Sequence, residues 1–262
     1  MTLSVRGNEG KPQLDRKEKV NMTEQKIDHR KHYILVLDIE TANTIEQGLA
    51  YDIGFAVADR KGNIYASYSY MVAEMFHEYN DLMQTAYYAD KLPQYWADYA
   101  LGRRNMKTLY TIRRKVWEIM GAYRITDVFA YNCAFDSRGL DTTIRYITKS
   151  ATRWFFPYGT KFHCIQHCAC QTILSQKSYF RFALENGLVT PSGNLSTTAE
   201  SAYRYICKDT DFTEAHTGLE DVRIEIAILA KCFAQHKPMN TEINRGAWSI
   251  PQKKFREFVK TS

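Results

Sequence analysis

The stretch Tyr33-Ile34-Leu35-Val36-Leu37-Asp38-Ile39-Glu40-Thr41 constrains this chain more than any other. It opens on a run of apolar and aromatic residues, several of them strong strand formers. That is the pattern of a central strand covered on both faces of an α/β sheet. The run then closes on two acids one residue apart. Residues i and i+2 of a strand point to the same face, so Asp38 and Glu40 converge on one point. Two carboxylates at the end of a buried strand repel each other and lose hydration, and a cation between them relieves both costs. Hard oxygen donors suit Mg²⁺ or Mn²⁺. An acid-x-acid triplet alone is common on solvated surfaces; partners elsewhere in the chain decide between the two.

A chain of 262 residues has room for one sizeable domain with a real core, or at most two small ones. Hydrophobic residues at 45% and charged residues at 24% are ordinary for a globular protein, which excludes a largely disordered or fibrous chain. A formal charge of +6 favours an anionic partner such as nucleic acid, though weakly. No stretch approaches the length of a membrane span, and the polar, charged N-terminus shows no signal peptide. The six cysteines then read as reduced thiols of a cytoplasmic protein, in the host cytoplasm if phage-encoded.

In chain order, residues 1–31 read as a flexible polar arm in which Lys11, Arg16, Lys17 and Lys19 could touch nucleic acid and Met22 could be a second start. Residues 32–236 form the expected domain, and 237–262 a tail packed on or near it. After the opening strand, Tyr51 to Val57 and Ile64 to Val72 read as two further strands joined by the turn Asp59-Arg60-Lys61-Gly62-Asn63. Glu74 to Tyr99 reads as helical with a break near Pro93, crowded with aromatics that are core or base-stacking surface. Gly102 to Met120 reads as one amphipathic helix, with Leu109, Ile112, Val116, Ile119 and Met120 ringed by Arg103, Arg104, Lys107, Arg113, Arg114 and Lys115. That basic ring is either solvated or a phosphate-holding face. Asp127 to Tyr131 is a fourth strand leading into a helix that starts around Asn132 to Asp136. A fifth strand at Lys161 to Ile165, a helix from Gln166 to Gln176, a loop at 186–194 and a short helix from Thr197 to Cys207 follow. Val222, Ile226, Leu229 and Phe233 mark a last long helix from Leu219.

Three motifs now stand in order: Asp38-Ile39-Glu40-Thr41, Asn132-Cys133-Ala134-Phe135-Asp136, and His216-Thr217-Gly218-Leu219-Glu220-Asp221. Together they resemble the DEDDh 3′–5′ exonucleases of the RNase H-like superfamily, which includes polymerase proofreading subunits, RNase T and oligoribonuclease. The resemblance spans roughly Tyr33 to Phe233. Each motif alone is weak; all three in this order are specific. The resemblance implies one RNase H-like domain with a mixed five-stranded sheet of order 3-2-1-4-5, the second strand antiparallel to the rest. It also implies a metal-dependent 3′–5′ exonuclease that acts on mostly single-stranded DNA or RNA ends and releases nucleoside 5′-monophosphates. By the same resemblance Asp38, Glu40, Asp136 and Asp221 hold two divalent cations, Mg²⁺ or Mn²⁺, and His216 is the general base. Thr41, Ala42 and Asn132 are the implied substrate contacts, and homodimers are common among relatives. The chemistry asks for such residues: two cations about 4 Å apart clamp the attacking and leaving oxygens of a phosphodiester. A histidine near pKa 6.5 can take a water's proton at neutral pH.

Each member also has an ordinary reading. His216 could be a surface residue or a helix cap, Asp221 an exposed helical acid, and Asp136 an acid favoured at a helix N-terminus. Glu220 points elsewhere on the helix and is left out. A silent nucleic-acid-binding or scaffold module of the same fold, or a polymerase's proofreading subunit, is the alternative function. DNA and RNA would be told apart by contacts to the 2′-OH. The run His163-Cys164-Ile165-Gln166-His167-Cys168-Ala169-Cys170 holds five soft ligands and raises zinc. It lacks a Cys-x-x-Cys pair, so buried core cysteines are the expected reading.

Overall fold

The opening strand is the centre of the molecule. In the computed structural model, which describes residues 27–151 and 153–261, β1 (Ile34–Ala42) pairs on one side with β2 (Leu49–Ala58) and on the other with β5 (Asp127–Ala130). β3 (Ile64–Val72), β4 (Asn105–Lys107) and β6 (Lys161–Cys164) complete a sheet of order β4-β3-β2-β1-β5-β6. β2 runs antiparallel to β1 and β3, and every other pairing is parallel. This is the mixed α/β sheet of RNase H-like topology, with the expected order and the expected antiparallel strand.

β4 is an addition at the edge. Residues 103–107 do not belong to the following helix, because the Thr108 hydroxyl caps it by accepting from the Thr111 N–H at 3.3 Å. The residues before the cap are free to extend and pair with Tyr70–Val72. The basic ring shrinks accordingly. Arg104 is an internal residue, 8% exposed, and not part of a helix face.

Helices cover both sides of the sheet. α1 (Ala73–His77), α2 (Asn80–Met83), α3 (Leu92–Ala100), α4 (Leu109–Tyr123) and α5 (Cys133–Thr148) pack on the face presenting Leu35, Leu37 and Ile39. α6 (Ile165–Gln171), α7 (Lys177–Glu185), α8 (Ala199–Cys207), α9 (Gly218–Phe233) and α10 (Ile250–Thr261) pack on the face presenting Ile34 and Val36. Strand alternation thus feeds two cores from one run of apolar residues.

Three helical expectations change. The segment 74–99 is several short helices, and Pro93 sits in the first turn of α3, where its missing N–H costs nothing. The helix from Gln166 stops at Gln171, and α7 forms a separate element. The tail carries α10, with Pro251 again near a helix start and Phe255 packed edge-on against Phe180 at 5.5 Å. The N-terminal arm lies mostly outside the described residues. Among those described, no helix is long and apolar enough to cross a membrane.

Candidate active site

One contact between two glycines builds the centre of the site. Asp38 pairs with Gly54 and Glu40 with Asp52 across β1 and β2, so all four share the face turned toward α9. A Cβ on Gly54 would lie 2.1 Å from the carbonyl carbon of Gly218, and one on Gly218 would lie 2.6 Å from the Gly54 nitrogen and 3.2 Å from the Asp38 oxygen. Only two glycines let the first turn of α9 rest directly on the strands there. Asp52 fixes the docking. One of its oxygens accepts from the Gly218 N–H (3.0 Å), the Tyr95 hydroxyl (2.7 Å) and the Arg104 guanidinium (3.3 Å). The Thr217 hydroxyl and Arg104 also reach Glu220, at 2.6 and 3.4 Å, so Glu220 belongs to this docking network.

Asp221 follows one turn into α9 and Glu225 one turn further, both on the side that meets the sheet; they are 4% and 2% exposed. Asp136 enters from the first turn of α5 and is 3% exposed. The helix is drawn against β1 because Gly139 leaves room for Ile39, whose Cδ1 is 2.6 Å from where a Cβ would stand. A shift of pairing register after Glu40 then turns the strand's end away.

These carboxylates perturb one another in one direction. Burial lifts Asp38 well above the usual carboxylate range, reinforced by Glu225, Asp136, Glu40 and Asp221. Glu40 is pushed up to about 9 by burial, then by Asp221, Asp52 and Glu214, with Lys91 opposing. Asp221 rises to about 8 through burial and Glu214, and Asp136 to about 7 through burial, opposed by its own backbone N–H and that of Ile39. Glu225 is raised by burial and by Asp136, although the Tyr131 N–H donates to its Oε1 at 3.1 Å. With Lys91 opposing Glu40 and Glu214, ionising the whole set of buried acids remains costly.

Two oxygens show where that counter-charge fits. Asp221 Oδ2 accepts from the Thr217 N–H at 3.0 Å, yet Asp221 Oδ1 is buried without a partner, and so is Glu225 Oε2. Ligand atoms of Glu40, His216 and Asp221 all lie within 4.8 Å of one another. Buried, unpartnered carboxylate oxygens beside an imidazole are a donor set for a divalent cation.

His216 sits on the loop before α9 in a left-handed conformation, φ 52°. Its ring stacks on Tyr88 with centroids 4.1 Å apart and planes 13° from parallel. Lys91 donates to the carbonyl of the preceding Ala215, and Glu214 is 4.0 Å from His216 Nδ1. Burial lowers the imidazole pKa and Lys91 lowers it further, against Glu200 and Asp90, which favours the neutral ring. Ligand atoms of His216, Glu214 and Glu200 form a second group within 4.8 Å.

Five of the sequence-derived residues therefore converge: Asp38, Glu40, Asp136, His216 and Asp221. The implied substrate contacts Thr41, Ala42 and Asn132 flank it in sequence. Ala42 is fully buried, and Thr41 turns its side chain toward Gly48 and Gly139. Asn132 occupies the N-cap position of α5 without a side-chain capping bond.

Several contributors escaped the sequence reading. Glu225 had a signal: it is a charge inside the apolar stripe Val222, Ile226, Leu229, one turn after Asp221. Asp52 had one too, as the acid in an otherwise apolar strand opposite Glu40. Tyr88 and Lys91 had none, since only the packing of 73–100 brings them over the loop. The soft-ligand run is dispersed. His163 bonds Asp127 (2.8 Å) and Thr241 (2.7 Å), His167 bonds the Glu242 carbonyl (2.8 Å), and the Cys164 thiol donates to the Tyr131 carbonyl (3.3 Å). Cys168 and Cys170 are core residues.

No family model matches the chain, and no curated protein matches it. Among solved structures, the zinc-bound complex of E. coli exonuclease I with single-stranded DNA aligns over 79% of this chain and 41% of its own, at 14% identity and TM-score 0.48. E. coli exonuclease I in complex with a 5cy-dT13 oligonucleotide aligns over 79% and 41%, at 15% identity and TM-score 0.46. A further exonuclease I structure aligns over 88% and 44%, at 14% identity and TM-score 0.45. The chain spans less than half the length of these structures.

Proposed function

We propose that this protein is a metal-dependent 3′–5′ exonuclease that removes nucleoside 5′-monophosphates from single-stranded nucleic acid ends. The observation that carries the reading is the convergence of Asp38, Glu40, Asp136 and Asp221 from three elements, together with the unpartnered oxygens of Asp221 and Glu225. A structural acid cluster would be paired with cations of the protein itself. Here Lys91 is the cation opposing Glu40 and Glu214, while Arg104 is committed to Asp52.

Asp38, Glu40, Asp136 and Asp221 would hold two Mg²⁺ or Mn²⁺ ions, whose chemistry when bound is to neutralise phosphate charge and acidify water. His216 accepts the proton of the attacking water. Glu214 stands 4.0 Å from Nδ1, where its carboxylate would favour the imidazolium formed as the ring takes that proton. Tyr88 holds the ring plane and Lys91 holds the loop carbonyl before it. Gly54, Gly218 and Asp52 keep the first turn of α9 in place, so Asp221 stays in register with β1. In this reading residues 32–236 are the catalytic domain.

The test uses 5′-labelled single-stranded DNA and RNA with Mg²⁺ or Mn²⁺, and compares wild type with Asp38→Ala and His216→Ala. The expected result is a 3′-shortening ladder that both substitutions abolish. Strands bound but left intact by the wild type would sink the reading in favour of a silent binding module.

A further inference from the structure

A cavity of about 240 Å³ opens between the loop after β1 and the second half of α5, with a polar lining of Asn43, Gln47, Thr142, Arg145, Tyr146 and Lys149. No acid lines it. Neither Arg145 nor Lys149 forms an ion pair with a described residue. The Lys149 ammonium instead sits 4.3 Å from the centre of the Tyr146 ring.

The loop side is held by hydrogen bonds. Asn43, at φ 73°, donates its N–H to the Thr85 hydroxyl at 2.7 Å and its side-chain amide to the Gln47 carbonyl at 3.1 Å. Arg138 holds the Ile45 carbonyl at 3.3 Å, and the Ala50 N–H donates to the Thr143 hydroxyl at 2.8 Å. That side loses little freedom when a ligand enters, and the exposed Arg145 and Lys149 side chains face it with positive charge.

Its position follows from the elements that carry the carboxylates. Asn43 lies three residues beyond Glu40, and Arg145 lies on the helix whose first turn holds Asp136. Nine residues of helix separate Asp136 from Arg145, about 14 Å. A strand with its 3′ end at the carboxylates has a few upstream nucleotides to lay across that distance.

We propose that this cavity is the subsite for the backbone phosphates upstream of the scissile bond, with Arg145 and Lys149 as the phosphate ligands. The proposal rests on the exonuclease reading. Basic residues in the last turn of a helix also complement its dipole. That accounts for their sign, but not for their sharing a cavity with amide and hydroxyl groups and no carboxylate. Sequence-independent strand binding uses this combination of cations with an aromatic ring.

The test measures binding of 5′-fluorescent oligo(dT) and oligo(rU) by anisotropy in EDTA, so that no cleavage intervenes. Arg145→Ala/Lys149→Ala, Arg145→Lys, and Asn43→Asp, which places an acid in the cavity, are compared with wild type at equal thermal stability. The double variant should bind about tenfold more weakly. Its plot of log affinity against log salt should flatten by about 1.4, roughly 0.7 for each single-strand phosphate that the protein no longer neutralises. Arg145→Lys should keep most of the affinity, and Asn43→Asp should lose part of it. With Mg²⁺, the ratio of kcat/KM for an oligonucleotide to that for a dinucleotide should fall in the double variant. Unchanged affinity and salt slope in the double variant and in Asn43→Asp would overturn the proposal. A wild type that binds but never shortens strands would remove the exonuclease reading, while the affinity comparison still judges the cavity. Equal losses on both oligomers would assign recognition to the phosphates, and a loss on one alone would overturn the backbone-only subsite.

Discussion

Asp221→Asn should make the cation-free protein more stable while destroying its function. In wild type the Asp221 pKa is pushed up to about 8 by burial and by Glu214. Its unfolded value is near 3.9. The folded state therefore binds the proton more tightly than the unfolded state, and this group costs nothing below pH 4. Stability then falls as pH rises from about 4 through 8 and levels off beyond. At pH 7 the ceiling on that cost is roughly 4 kcal/mol. Glu40 and Asp136 share the same field, so removing one charge recovers only part of it. The asparagine oxygen can keep the bond from the Thr217 N–H, but the new amide N–H₂ replaces an oxygen that has no partner, a cost of about 1–3 kcal/mol. The expected net gain is about 1–2 kcal/mol, or about 2–8 °C in Tm for a chain of this size. Differential scanning fluorimetry in EDTA from pH 5 to 8.5 reads it directly, as a raised Tm and a shallower pH slope. Adding Mn²⁺ at about 100 times its Kd should stabilise wild type by about 2.7 kcal/mol and the variant far less. A variant less stable than wild type in EDTA at pH 8, or a wild-type Tm indifferent to Mn²⁺ and Mg²⁺, would refute the reasoning.

Other expectations follow from the same geometry. Gly54→Ala forces a methyl into the backbone of Gly218, so α9 must move; a loss of about 3 kcal/mol or more in urea unfolding, with activity gone, is expected. Arg104→Met leaves the buried Asp52 without its ion-pair partner and should cost about 3–5 kcal/mol by the same assay. Glu225→Gln keeps the acceptor for the Tyr131 N–H yet removes a charge beside Asp38 and Asp136; the Mn²⁺ concentration for half-maximal nuclease activity should rise about 10–100-fold.

Legibility in the sequence tracked how locally each feature is encoded. β1, β2 and β3 were readable because their apolar runs and the turn at 59–63 carry their own signals, and pairing order was implied by the family resemblance that the three motifs carry. β4 was not, because three residues have no periodicity of their own and adjoin a strongly periodic helix; a single threonine cap decides where that helix starts. The same locality limits the site. Asp38 and Glu40 announce themselves by strand alternation, while Asp221 is recognisable only beside His216. Glu225 shows why burial has to be weighed against charge. Its place in the apolar stripe of α9 would normally hold a leucine or isoleucine. A buried glutamate there with one oxygen unpartnered is costly to ionise, and a cation sharing the space between Asp136, Asp38 and Asp221 would offset that cost. On that argument the cluster is five carboxylates deep, and the fifth would set the field in which the other four hold the proposed cations. Removing Glu225's charge should therefore weaken cation binding without any loss of fold, whereas a purely structural glutamate would show the opposite pattern.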